Sequence, residues 1–315
     1  MIDLTTSAGP IVTNVPWLSA AEREREARLL EHFADFWATA TGSPRDIYDR
    51  FIAASPMADR TATEEVTNGE VHGWWVRPAE VPPVAGHAIL FIHGGGYVLG
   101  TAKAYRGLVS QIVSRTGIPA LTIDYPLAPE ASLPAAPDAA LRAYAYLVEQ
   151  GFGRIAIIGD SAGGGLSLVT MVQLAERSDL PKPVAGVLFS PWADLAFTGK
   201  SMTDPAVTDA LIGYDYLADC ARKYVGAYDP RDPLASPFHG DLSGLPPLLI
   251  QVGTDERLLD DSRQVAAKAA GAGVPVELEV WEGMHHVFQL DVAQLESSRE
   301  ALDRAGRFIT RAFGC

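Results

Sequence analysis

The sequence predicts an α/β fold: a mostly parallel sheet flanked by helices. Three observations predict it. From about residue 88 onward, short apolar runs alternate with segments of helical period. One run, Ala88-Ile89-Leu90-Phe91-Ile92, is apolar throughout, as expected of a central strand covered on both faces. A glycine-rich turn, Gly159-Asp160-Ser161-Ala162-Gly163, stands between a strand-like run and a helix-like run.

The elements follow in order. Ser19 with Glu22 three positions on is a capping-box signature, and Leu29, Phe33, Phe36 and Ala40 then recur at helical spacing. The charged run Glu22, Arg23, Glu24, Arg25, Glu26 and Arg28 reads as the solvated face. Gly42 ends that helix, and Ser43-Pro44 starts another with Ile47, Phe51 and Ile52 on its buried side. Thr61–Val66 and Glu70–Val76 read as two strands joined by a tight turn at Thr67-Asn68-Gly69. Pro78, Pro82 and Pro83 make the next connection irregular.

After the strand Ala88–Ile92, the alternation predicts a helix over Ala102–Thr116, a strand at Pro119–Ile123 and a helix over Pro134–Gln150. A strand at Arg154–Ile158, a helix over Ala162–Glu176 and a strand at Val184–Phe189 come next. The last four elements are strands at Pro247–Val252 and Val276–Val280 and helices over Asp260–Ala270 and Val292–Ala312. Right-handed crossovers are expected throughout. The connection Ala193–Gly244 interrupts the rhythm. It carries a helical patch, Tyr214–Tyr224, between prolines, and is too long to be a plain loop. It reads as an insertion over the carboxyl ends of the strands, where open α/β sheets bind ligands.

Composition bounds the function. The 315 residues include 25 Lys+Arg against 39 Asp+Glu, a formal charge of −14. Phosphate binding needs a basic face, so nucleic acid is not expected as a partner, and neither is docking on anionic lipid. No apolar stretch reaches the roughly 20 residues a membrane-spanning helix needs. Two cysteines, Cys220 and Cys315, exclude a disulfide framework or zinc cluster. Met1-Ile2-Asp3-Leu4 lacks the basic and apolar regions of a signal peptide, which leads to the expectation of a cytoplasmic protein.

The G-x-S-x-G turn carries the strongest chemical signal. A nucleophilic serine held on a sharp strand-to-helix turn needs small neighbours, and the helix N-terminus puts a positive dipole end beside it. His93-Gly94-Gly95-Gly96-Tyr97 follows the apolar strand, and its glycines let backbone N–H groups turn toward a developing oxyanion. Gly94 and Gly95 are assigned as donors, with the amide of Ala162 as the third. His93 reads as an anchor of its loop rather than as a base. A serine needs a base and an orienting acid, and in α/β-hydrolases the chain order is Ser, Asp or Glu, His. Of seven histidines, only His285 and His286 lie in a loop after a late strand, and position alone leaves the choice between them open. Gly253-Thr254-Asp255 follows the preceding strand, so Asp255 is the expected acid, with Glu256 beside it pointing elsewhere. No third ligand stands at metal spacing from the histidine pair.

Together these residues resemble the hormone-sensitive-lipase-like branch of α/β-hydrolases, the bacterial family IV esterases. The likeness rests on His93–Tyr97, on Asp124-Tyr125-Pro126-Leu127-Ala128-Pro129-Glu130, on Gly159–Gly164 and on Gly253–Asp261. It covers about residues 60 to 313. The family's histidine motif looks like G-M-x-H-x-F, here Gly283-Met284-His285-His286-Val287-Phe288, so the resemblance selects His286. One departure is Pro126, where the family usually has arginine.

The resemblance implies an α/β-hydrolase fold with an eight-stranded sheet and a helical cap. It also implies hydrolysis of short- to medium-chain carboxylic esters, without cofactor. The corresponding division is cap helices at 1–55, a catalytic domain at 56–192 and 245–315, and a cap insertion at 193–244. Tyr97, Trp192, Tyr214 and Tyr216 are candidate pocket walls. The partner is a small-molecule ester, and a second copy of the chain could pair through an edge strand or the last helix, though no residue specifies it. Lactones and acetyl esters suit the same machinery. An amidase or peptidase is a further alternative, but no propeller-like repeat is present. A ligand-binding receptor on this scaffold, such as the plant gibberellin receptors, lacks the catalytic histidine, and the presence of His286 argues against it.

Overall fold

The computed structural model describes residues 9–80 and 84–314. Met1–Leu4, Pro82, Pro83 and Cys315, which figure in the sequence reading, lie outside the described residues.

The chain forms one nine-stranded sheet with eight helices among the described residues. The strands are β1 (Ile11–Val15), β2 (Thr61–Asn68), β3 (Val71–Pro78), β4 (His87–Ile92), β5 (Ala120–Ile123), β6 (Arg154–Asp160), β7 (Ala185–Phe189), β8 (Leu248–Gly253) and β9 (Val276–Trp281). The helices are α1 (Ala20–Thr39), α2 (Pro44–Ile52), α3 (Arg106–Thr116), α4 (Ala135–Glu149), α5 (Ser161–Glu176), α6 (Tyr214–Val225), α7 (Leu259–Gly271) and α8 (Glu296–Phe313). The spatial order is β1-β9-β8-β7-β6-β4-β5-β3-β2, and only the pairs involving β3 are antiparallel.

The sheet is therefore an α/β-hydrolase sheet with nine strands rather than eight. The extra strand is β1, which pairs with β9 in parallel from Ile11↔Glu277 to Val15↔Trp281. Four of its five residues are exposed, so no buried alternation marks it. Residues 1–55 are thus not all cap helices. The hairpin turn also differs by one residue: Asn68 pairs with Val71, so Gly69-Glu70 makes the turn, and Gly69 has φ +58°.

Period-two alternation divides the core. Leu90, Ile92, Ile157 and Leu188 face α4, α5 and α7, while Ile89, Phe91, Ile158 and Val187 face α3 and α8. A third cluster packs Leu29 and Phe33 of α1 against Val15, Trp281, Met284 and Phe288, so α1 rests on the loop that carries the two histidines.

The caps explain where α1 and α2 start. The Ser19 side chain accepts from the Glu22 N–H, and the Ser43 side chain accepts from the Asp46 N–H with Pro44 at the first helical position. The Glu22 carboxylate does not close a capping box. It accepts from the N–H and hydroxyl of Ser297 at the start of α8, where a negative charge suits the helix dipole. Glu22 and Glu26 are buried, so the charged run of α1 is not uniformly solvated.

Strand order sets the place of the site. From β4 the chain runs to β5 on one side and then crosses to β6 on the other. The carboxyl ends of β4 and β6 form a topological switch point, where ligands bind in open α/β sheets.

Candidate active site

Ser161 is the first residue of α5, directly after β6, and holds φ +50°. That left-handed conformation is costly for a non-glycine residue and is sustained by the packing around it. The glycines of the turn are required by close approach. A Cβ on Gly163 would lie 2.0 Å from the Ile92 carbonyl oxygen, and one on Gly159 would lie 2.4 Å from the Gly163 carbonyl oxygen. The first N–H groups of α5, including that of Ala162, have no intrahelical acceptor.

The imidazole of His286, in the loop after β9, donates from Nδ1 to Glu256 Oε2 at 2.8 Å. Glu256 is fully buried, and its Oε1 accepts from Ser190 Oγ and from the Gly253 N–H, both at 2.7 Å. Asp255 is the expectation that fails. It is half-buried and its carboxylate accepts from Thr254 Oγ1, at 2.8 Å. In the irregular turn after β8, the Asp255 N–H is tied to the Met284 carbonyl, and neighbouring side chains diverge, so the glutamate reaches the imidazole. Burial pushes the His286 pKa down, but the hydrogen bond and charge of Glu256 outweigh it and leave the pKa raised.

His285 has a different environment. Its Nδ1 donates to Glu26 Oε1 at 2.7 Å and its Nε2 to Asp291 Oδ2 at 3.0 Å. Burial opposes its charge, yet the two carboxylates lift its pKa to about 10. It is an imidazolium clamped between α1 and its own loop, with neither nitrogen free to take a proton.

The glycine loop also differs from expectation. The Gly94 N–H donates to Asp160 Oδ1 at 3.0 Å and is not available to a substrate oxygen. The cavity wall is formed by Gly95 and Gly96, with φ of +107° and +62°. Their N–H groups, with that of Ala162, are the candidate donors. His93 Nδ1 donates to the Gly94 carbonyl at 2.7 Å. That carbonyl and the Gly95 N–H belong to one planar trans peptide, so holding the carbonyl aims the N–H the opposite way. His93 itself is buried, stacked on Tyr125 with centroids 4.5 Å apart, and burial lowers its pKa. The Tyr125 hydroxyl donates to the His93 carbonyl at 2.8 Å.

Asp160 is buried directly before Ser161. Its Oδ2 accepts from the Tyr105 hydroxyl at 2.9 Å. Burial raises its pKa to about 7, against the hydrogen bonds from Tyr105 and Gly94.

Ser161, His286, Gly95 and Gly96 line one cavity of about 360 Å³. Its other walls are mostly apolar and come from both segments expected to cover the site: Trp37, Ile47, Tyr48 and Phe51 from the first, Leu211, Ile212, Tyr216 and Leu217 from the second. Of the four expected wall residues only Tyr216 is there. Tyr97 and Trp192 are buried in the core, Tyr97 stacking on Tyr224 with centroids 3.7 Å apart. Tyr214 is exposed and packs on Phe197. An apolar aromatic near the motifs is equally suited to core or cavity, and the sequence does not separate the two.

The Pro126 segment keeps a guanidinium from elsewhere. Arg45 of α2 donates to the carbonyls of Val98 and Ala128 and pairs with Glu130 at 2.6 Å. No helix among the described residues is long and apolar enough to cross a membrane.

The chain is similar to known proteins over most of its length. The α/β-hydrolase-fold family matches residues 89–290. An acetyl-hydrolase of Streptomyces hygroscopicus is 42% identical over 283 residues, covering 88% of this chain and 93% of that protein. An ethyl acetate hydrolase of Pseudomonas putida is 32% identical over 71% of this chain and 73% of its own. A crystal structure of an esterase from the bacterial hormone-sensitive lipase family superposes with a TM-score of 0.86 at 36% identity, over 92% of this chain and 98% of that one. The chain therefore belongs to the α/β-hydrolase family, in its hormone-sensitive-lipase-like branch of ester hydrolases.

Proposed function

We propose that the chain hydrolyses short- to medium-chain carboxylic esters through an acyl-enzyme, with Ser161 as nucleophile, His286 as general base and Glu256 as the orienting acid. The observation that carries this reading is the convergence in one cavity of a serine on a strained elbow, an imidazole backed by a buried carboxylate, and two glycines of the oxyanion loop.

Glu256 holds Nδ1–H and leaves Nε2 as the acceptor. Nε2 takes the Ser161 proton as Oγ attacks the carbonyl carbon, and Glu256 stabilises the imidazolium that forms. The N–H groups of Gly95, Gly96 and Ala162 receive the negative charge on the former carbonyl oxygen, each donor being worth roughly 3–4 kcal/mol in the transition state. The imidazolium protonates the leaving alcohol. His286 then activates water, which releases the acid and restores Ser161. The two segments over the cavity act as a cap that selects substrate by its apolar walls.

Acetyl esters are the second reading, favoured by the names of the Streptomyces and Pseudomonas relatives. A panel of p-nitrophenyl esters from two to sixteen carbons separates the two. Activity confined to the acetyl ester supports the second reading, and a maximum at longer chains supports the first. Ser161→Ala and His286→Ala should each lose activity by orders of magnitude. A wild-type chain inert on the whole panel would overturn both.

A further inference from the structure

A line of hydrogen bonds runs behind the oxyanion loop and ends on a residue of α2. The Gly94 N–H donates to Asp160 Oδ1, the Tyr105 hydroxyl donates to Asp160 Oδ2, and the Tyr48 hydroxyl lies 2.8 Å from that of Tyr105. The Tyr105 hydroxyl has a single proton and gives it to Asp160, so Tyr48 must be the donor to Tyr105. Tyr48 also meets the loop directly. Its ring carbon Cε1 would stand 3.2 Å from a Cβ on Gly95, and its side chain lines the cavity. Asp160 is bonded covalently to Ser161, so one carboxylate ties the elbow to the loop.

Resting on the ester-hydrolase reading above, we propose that the Tyr48 hydroxyl is a positioning group for the oxyanion hole, acting through Tyr105 and Asp160 on the Gly94 peptide. The chain of donors keeps the Asp160 carboxylate turned toward the Gly94 N–H. With the Gly94 carbonyl held by His93, both sides of that residue are fixed, and the Gly95 N–H is aimed before substrate arrives. Helix α2, which covers the cavity, is thereby coupled to the transition state and not only to substrate fit.

Tyr48→Phe keeps the ring in the cavity wall and removes only the donor. It should lower kcat on a p-nitrophenyl ester about fivefold, the effect of one lost hydrogen bond, and leave KM within about twofold. A trifluoromethyl ketone, which forms a tetrahedral oxyanion on the serine, should bind less tightly by a similar factor. Tyr105→Phe should cost at least as much, and the double variant no more than Tyr105→Phe alone, because the two hydroxyls act in series. Thr101→Val is the control. It breaks another hydrogen bond to α2, from Thr101 Oγ1 to Asp49 Oδ2 at 2.9 Å, together with the contact of Oγ1 with the Ala104 N–H, while the backbone bonds from Ala104 and Tyr105 to the Thr101 carbonyl remain, and it should leave kcat unchanged.

The proposal is overturned if Tyr48→Phe retains wild-type kcat in an active enzyme, if its effect multiplies in full with that of Tyr105→Phe, or if Thr101→Val loses as much. A wild-type chain inert on all esters overturns the ester-hydrolase reading itself, and so the two failures are distinct.

Discussion

Replacing Glu256 by glutamine is the most direct trial of the proposed machinery. Oε1 accepts from Ser190 Oγ and from the Gly253 N–H. The amide N–H is donor-only, so the glutamine oxygen must stay on that side. The new NH2 group then faces His286 Nδ1, where the carboxylate accepted at 2.8 Å. Two donors cannot share that contact, and the imidazole is driven to the tautomer with its proton on Nε2. That nitrogen can no longer accept from Ser161.

A wrong tautomer with intact geometry costs about 10⁴-fold in kcat, or about 5.4 kcal/mol at 1.36 kcal/mol per tenfold. Asp255→Asn touches only the Thr254 contact and should change kcat by less than about threefold. The assay is steady-state hydrolysis of a p-nitrophenyl ester across pH. In the wild type the neutral imidazole is the active form, and Glu256 raises its pKa, so activity climbs as pH passes above that raised value. In Glu256→Gln the largest raising interaction is gone, the charges of Asp209 and Asp160 remain and burial still lowers the pKa, so the residual acid limb moves to lower pH. A larger loss from Asp255→Asn than from Glu256→Gln would refute the assignment.

The other variants probe different parts of the site. His285→Gln leaves Glu26 and Asp291 without their buried cation and should cost about 3–5 kcal/mol in urea unfolding at pH 7, and a change under about 1 kcal/mol would count against the clamp. Because folding raises the His285 pKa to about 10, its contribution is fully present below the unfolded value and lost as pH rises through about 10. Wild-type stability should therefore fall over that interval more than that of His285→Gln. Gly95→Ala forces a side chain onto φ +107° with its Cβ 2.2 Å from the Leu99 carbonyl oxygen, and should reduce kcat by about 10² or more. Wild-type kcat in that variant would separate Gly95 from the oxyanion hole.

Local motifs carry most of what the sequence reveals. Ser161 is legible because the demand for glycines at 159 and 163 arises within one strand-turn-helix unit. The alternating elements and the buried run of β4 are legible for the same reason: a strand covered on both faces must be apolar throughout. The motif resemblance selects His286 over His285. What separates their roles physically is Glu26, 259 residues from His285, and Asp291.

The errors share a cause. Charged residues on a helix read as solvated unless their distant partners are known, and so Glu22 and Glu26 are missed as buried contacts. Gly94 looks as suitable a donor as Gly95 until Asp160 is seen to hold its N–H from 66 residues away. Strand β1 has mainly exposed side chains, so only its backbone pairing with β9 defines it.

The sequence by itself thus determined the fold class, the strand-to-helix turn that carries Ser161 and the glycine loop, all set by backbone demands within a few neighbouring residues. Tertiary structure alone decided that Glu256 rather than Asp255 meets His286, that Gly96 rather than Gly94 faces the cavity, and that Tyr97 and Trp192 are core. Those choices depend on where side chains point in irregular turns, and that direction is set by packing and hydrogen bonds between segments far apart in the chain.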